Sequence, residues 1–114
     1  MPVLRVGQSI RLKPEYADEY IKIHANVWPG VLKRISESNI HDYSIFYDKK
    51  SGILFATFKY TGDDFDGDMK KSAADPETQR WWQVTDKMQE SLDGGKSSVD
   101  GGWWRVLEEV FYAE

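Results

Sequence analysis

A chain of 114 residues with a formal charge of −4 and a pI near 5.2 is sized for one folded domain, expected to span residues 1–114. It has no cysteine, which excludes disulfides and thiolate metal sites and makes a cytoplasmic address the expectation. Basic residues never gather into a patch and no stretch approaches the roughly 20 apolar residues of a membrane span, so neither nucleic acid nor a membrane is expected as a partner.

The opening stretch MPVLRVGQSIRLKP has no apolar run of signal-peptide length. Its residues 3–12 alternate, with Leu4, Val6, Ile10 and Leu12 on one side and Arg5, Gly7, Ser9 and Arg11 on the other, the period of a half-buried strand. Pro14 then suits the first turn of a helix, and Glu15, Asp18 and Glu19 suit the positive end of its dipole. Tyr16, Tyr20, Ile23 and Val27 recur at helical spacing, and Pro29 is expected to end or kink this helix near Trp28. A shorter continuation through Val31, Leu32 and Ile35 runs to a stop at Asn39.

Residues 41–48 and 53–60 are two β-rich runs joined by Lys49-Lys50-Ser51-Gly52, which predicts a hairpin. An acidic segment follows, then MKKSAAD, read as weakly helical and exposed. Asp75-Pro76 reads as an N-cap with proline at the first helical position, opening a helix that carries Gln79, Arg80, Trp81, Trp82, Thr85 and Met88. Residues 93–102 are a glycine- and serine-rich loop without a phosphate-cradle motif. Residues 103–112 are read as a final strand, with Trp104, Val106, Val110 and Tyr112 on one face. The order β, α, β, β, α, β predicts an α+β, ferredoxin-like sandwich with helices on one face of an antiparallel sheet. The other face is left with exposed aromatic and apolar residues, for which a homodimer is the simplest remedy.

Chemistry concentrates in the stretch EYIKIHANVWPG. Tyr20 and His24 are four residues apart and share a helix face, with Trp28 one turn further on. A phenol and an imidazole beside an apolar wall can exchange protons with a small polyhydroxylated ligand; the alternative is a core stripe with His24 satisfied at its edge. The second histidine, His41, opens a strand and shares a face with Tyr43, Ile45 and Tyr47 if the pairing is regular; it is read as structural or as supporting another group. Neighbours in the pairs Trp81-Trp82 and Trp103-Trp104 must diverge, so one ring of each faces a pocket, a partner or solvent. Trp103 and Trp104 are read as interface or core. Spacings for a metal site are missing, and no two carboxylates are forced together as a glycosidase would need.

Five separated segments carry a resemblance to the L-rhamnose mutarotase family: EYIKIHANVWP, HDYSIFYD, LFATF, QRWW and LEEVFY, in the family's order over nearly the whole chain. The resemblance implies a dimeric α+β barrel and a cofactor-free isomerase that interconverts the α and β anomers of L-rhamnose or a similar 6-deoxy sugar such as L-fucose. It implies His24 as proton donor and Tyr20, Tyr43, Trp81 and Trp82 as sugar contacts. Two features depart from the family's pattern. Ala25 follows the histidine where Asn is usual, with an Asn displaced to Asn26, and Gly30 follows Trp-Pro where Glu is usual; the segments before QRWW and before Trp103 look longer. Both would reshape the rim of a pocket. A cofactorless monooxygenase-like or haem-handling barrel protein, and a non-catalytic sugar-binding module, are the competing expectations.

Overall fold

The structure is a computed structural model and describes residues 3–114. In chain order it has β1 (Leu4–Leu12), a 3-10 turn (Pro14–Tyr16), α1 (Ala17–His24), α2 (Pro29–Glu37), β2 (Ile40–Asp48), β3 (Ile53–Tyr60), α3 (Phe65–Ala74), α4 (Pro76–Asp86), β4 (Gln89–Glu90) and β5 (Arg105–Leu107). The antiparallel sheet runs β2-β3-β1, and both β4 and β5 pair with the remaining edge of β1. This is the ferredoxin-like α+β arrangement that the element order predicts.

The first helix is shorter than its periodicity suggests. It ends at His24, a turn carries the chain through Trp28, and α2 restarts with Pro29 at its first position. Trp28 is extended, at φ −58° and ψ 135°, which is the conformation proline imposes on the residue before it. Trp28 is therefore placed by the turn and not by the face shared by Tyr20 and His24. α2 stops where Asn39 takes φ 64°, a left-handed value that Asn tolerates better than most residues. Gly30, the second residue of α2, lies under α4: a Cβ there would meet the Glu77 carboxylate at 2.6 Å.

The hairpin closes through Gly52 at φ 73°, whose N–H donates to the Asp48 carbonyl. Its pairing is not regular. His41 pairs with Lys59 but Ser44 pairs with Thr57, so Asp42 and Tyr43 together oppose Phe58. Asp42 takes φ 52° in this bulge and its carboxylate lies 3.1 Å from the Lys59 ammonium. The extra residue flips the alternation, which corrects the expectation for His41. His41 shares the open face with Ser44 and Phe46, where its Nε2 is 3.0 Å from the Thr61 hydroxyl, while Tyr43, Ile45 and Tyr47 face the helices.

The helix-facing side of the sheet forms two cores. Ile10, Leu12 and Leu54 pack with Tyr20, Met88 and Trp103; Phe58 and Tyr60 pack with Ile40, Phe65 and Met69. The stretch read as weakly helical and exposed lies in α3, one side of which is packed. Asp64 caps α3 by accepting from the Gly67 N–H, and Phe65 and Met69 are packed, not exposed. Asp75 caps α4 as predicted, accepting from the Thr78 N–H and hydroxyl, both at 2.9 Å.

The final strand is the largest departure. Only Arg105–Leu107 pairs, and residues 108–112 leave the sheet so that the Tyr112 ring lies under the Arg5 guanidinium, 3.4 Å from it. A cation over an aromatic face replaces the expected ladder. Trp103 is buried and Trp104 packs against the same core, so both precede the strand instead of lying in it. The open sheet face keeps Phe46 and Phe55 opposite each other at 64% and 41% exposure.

Replacing Ile10, which is fully buried, with alanine removes most of a core side chain. Urea unfolding should show a loss of about 3 kcal/mol with an unchanged slope, and a loss below about 1 kcal/mol would contradict the described core.

Candidate active site

α1 sets Tyr20 and His24 one turn apart, and their rings stack with centroids 4.0 Å apart at 30°. His24 Nδ1 lies 2.7 Å from the carbonyl oxygen of Tyr20. A carbonyl can only accept, so Nδ1 carries the proton and Nε2 of the neutral ring is bare. Burial lowers the His24 pKa from its ordinary value, with the bond to the Tyr20 carbonyl pulling the other way. The neutral, Nδ1-protonated imidazole is therefore the resting form near pH 7.

α4 closes the other side of the imidazole. Trp81 is buried and meets His24 edge to face at 5.2 Å and Trp28 at 5.2 Å, so the two tryptophans buttress the histidine. Trp82 is half-buried and makes neither contact. The sequence places Trp81 and Trp82 alike; the helix separates them.

Tyr20 is 4% exposed. Burial first, and the nearby Tyr43 phenol second, raise its pKa, while a hydrogen bond from Gln89 opposes them. Gln89 Nε2 donates to Tyr20 Oη at 3.1 Å, and Gln89 Oε1 accepts from Trp103 Nε1 at 3.0 Å. Tyr43 stacks on Phe58 at 5.4 Å. It is 38% exposed overall, yet desolvation of its phenol pushes the pKa up to about 12, with a hydrogen bond to Gln8 pulling down. Both phenols keep their protons at neutral pH.

Tyr20 and His24 border a cavity of about 370 Å³, completed by Leu12, Ile21, Ala25, Ile45, Tyr47 and Leu54. That volume is within the usual range for small-molecule sites, and the wall is apolar apart from a few convergent polar groups. A larger hollow of about 590 Å³ lies on the opposite sheet face beneath residues 107–112, and it contains neither histidine. Tyr20 and His24 line the smaller cavity. Among the described residues no three His, Asp or Glu side chains gather as a metal-holding group, and no helix is long and apolar enough to cross a membrane.

The structure thus brings Tyr20, His24 and Trp81 together, keeps Tyr43 on the same side of the sheet beside Tyr20, and leaves Trp82 outside the cluster. Gln89, Tyr47 and Ile45 were not singled out as site residues. Ile45 and Tyr47 could have been found from their alternation with Tyr43 in HDYSIFYD. Gln89 carries no sequence signal, because its burial depends on two residues of pairing between β4 and β1.

A family model described as L-rhamnose mutarotase matches residues 5–113. A Phocaeicola vulgatus protein named L-rhamnose mutarotase is 36% identical over 104 residues, covering 90% of this chain and 91% of that protein. A Bacteroides thetaiotaomicron protein of the same name is 35% identical over 111 residues, covering 96% and 98%. The crystal structure of an L-rhamnose mutarotase from Formosa agariphila superposes with a TM-score of 0.76 at 24% identity, covering 97% of this chain and 99% of that one, and shares the fold.

The tautomer and the lowered pKa can be checked together by imidazole NMR on nitrogen-15-labelled protein. His24 should show a protonated Nδ1 and a bare Nε2 at pH 7.5 and titrate with a midpoint below 6.5. A protonated Nε2 in the neutral ring, or a midpoint above 6.5, would contradict this geometry.

Proposed function

The chain belongs to the L-rhamnose mutarotase family, and from that premise we propose that it interconverts the α and β anomers of L-rhamnose by opening and reclosing the sugar ring. The observation that carries this reading is His24 on the cavity wall, neutral, with Nδ1 tied to the Tyr20 carbonyl and Nε2 free.

The chemistry follows from that one free nitrogen. Nε2 takes the proton of the anomeric hydroxyl. The O–H electrons become the second bond of the aldehyde, the C1–O5 bond breaks, and its electron pair stays on the ring oxygen. The imidazolium then gives its proton to that oxygen. Both oxygens are bonded to C1, so one nitrogen can serve both. His24 is thus the proton donor that the family resemblance implies, delivering a proton it has just taken. After rotation about C1–C2 the same steps run in reverse on the other face of the aldehyde. Burial keeps the pKa low enough for the base form to dominate near neutrality, and acid–base groups of this kind are worth about 10²- to 10⁴-fold in rate.

Tyr20, on the cavity wall, serves as a hydroxyl donor to the sugar, and Tyr43, beside Tyr20 but outside the cavity lining, serves as a contact at its margin; both phenols are protonated at neutral pH. Trp81 packs on His24 without lining the cavity and supports the imidazole. Trp82 belongs to this reading only as a rim contact. Leu12, Ile45 and Leu54 give the 5-methyl group of a 6-deoxy sugar an apolar wall, which favours it over a hydroxymethyl group by a modest factor. No cofactor enters the reaction. The open face bearing Phe46 and Phe55 joins a second copy as a homodimer, and the cysteine-free composition fits a cytoplasmic enzyme.

NMR saturation transfer between the anomeric protons of L-rhamnose should show exchange faster than in buffer. His24→Ala should reduce the catalysed exchange by about 10² or more while the fold is kept. L-Fucose in place of L-rhamnose reports which 6-deoxy sugar is preferred. Exchange at the buffer rate with both sugars would overturn the reading. For the assembly, sedimentation velocity should give a dimer that Phe46→Glu with Phe55→Glu converts to monomer; a monomeric wild type at micromolar concentration would contradict it.

A further inference from the structure

Three buried polar side chains form a chain whose direction is forced. Trp103 Nε1 donates to Gln89 Oε1 at 3.0 Å, and Gln89 Nε2 donates to Tyr20 Oη at 3.1 Å. An indole N–H can only donate, so the amide oxygen must face Trp103. The amide nitrogen is then left facing Tyr20, and it too can only donate. The phenol oxygen therefore accepts, and its own proton has to point to another partner. Tyr20, Gln89 and Trp103 are 4%, 4% and 9% exposed, so bulk water offers little competition and an unpaired amide there would be costly.

The fold supplies this chain by a small device. β4 is two residues long, pairing Gln89 with Leu12 and Glu90 with Arg11. Alternation sends Gln89 into the core and Glu90 outward, where its carboxylate lies 3.5 Å from the Arg11 guanidinium. The Lys13 N–H donates to the Met88 carbonyl at 2.9 Å and fixes the residue before Gln89. The indole arrives from the far end of the glycine- and serine-rich loop, directly after Gly102 at φ 67°.

We infer that Gln89 and Trp103 are positioning residues that hold the Tyr20 hydroxyl as a hydrogen-bond donor aimed into the cavity, at the oxygen on which negative charge develops as the ring opens. This rests on the reading of the Tyr20–His24 cavity as the mutarotase site. Tyr20 does not give up its proton; it stabilises charge as a preorganised donor, while His24 moves the proton. Gln89 and Trp103 act only through Tyr20.

The test is a double-mutant cycle on the kinetics of L-rhamnose anomer exchange, with circular dichroism to check folding. Gln89→Met keeps the packing and removes both hydrogen bonds; it should lower kcat about tenfold or more and leave KM within about twofold. Tyr20→Phe should lose at least as much, and Tyr20→Phe with Gln89→Met should be no slower than Tyr20→Phe alone, because the amide has nothing left to orient. Trp103→Phe should behave like Gln89→Met, slowing the wild type and leaving Tyr20→Phe unchanged. Should Gln89→Met not fold, Gln89→Leu replaces it, since it too can neither accept from Trp103 nor donate to Tyr20. A Gln89 variant with wild-type kcat, or losses that multiply in the double mutant, would overturn the inference. Tyr20→Phe at the wild-type rate would overturn it too, whereas a wild type without exchange would overturn the functional reading beneath it.

Discussion

One hydrogen bond organises the site: His24 Nδ1 to the carbonyl oxygen of Tyr20, one turn back in the same helix. It fixes the tautomer, holds the imidazole against the phenol ring, and leaves Nε2 as the one unprotonated nitrogen of the ring. Two influences on the ring's charge oppose each other. The end of α1 and the backbone carbonyl favour the imidazolium, whereas burial favours the neutral ring, and burial is the larger. A short helix ending at His24 matters for this reason. Had α1 continued to Trp28, the imidazole would lie mid-helix, and Trp28 could not turn to meet Trp81, which closes the ring's far side.

The second organising feature is the division of labour between the two faces of the sheet. The helix-facing side packs Ile10, Leu12, Leu54 and Phe58, and Leu12 and Leu54 join Ile45 and Tyr47 in the cavity wall. The bulge at Asp42 and Tyr43 lets Ile40 before it and Tyr43 after it both face the helices, because regular pairing from the hairpin would turn Ile40 outward and His41 inward. The open face carries Phe46, Phe55 and the Arg5–Tyr112 stack, and has no part in the acid–base cluster.

What was legible in the sequence was local. The Tyr20–His24 spacing, the Asp75-Pro76 start of α4, the Gly52 turn and the stop at Asn39 depend on neighbours within a few residues, and each is found where its chemistry predicts. What was not legible depends on pairing between distant segments. The alternation of residues 103–112 was genuine, but a strand also needs a ladder partner, and β5 pairs with β1 only across Gly7, Gln8 and Ser9. His41 was misplaced because one inserted residue inverts a face, and an Asp that tolerates positive φ is a weak signal for it. Trp81 and Trp82 are indistinguishable by composition and separated only by the helix they share. Gln89 is buried because two residues of β4 happen to meet β1, a fact that no window around residue 89 contains.

In the proposed reaction a neutral His24 with an unprotonated Nε2 opens the ring. The most direct test is the pH dependence of the anomer exchange rate constant for L-rhamnose at low substrate, corrected for the buffer reaction. Lowering the His24 pKa means that the active base form persists as pH falls below the ordinary histidine value. The rate should be flat above neutrality and fall toward acid with a midpoint below 6.5, a limb that should disappear with His24→Ala. A rate that instead rises as pH falls through this range, or a profile untouched by the substitution, would contradict it.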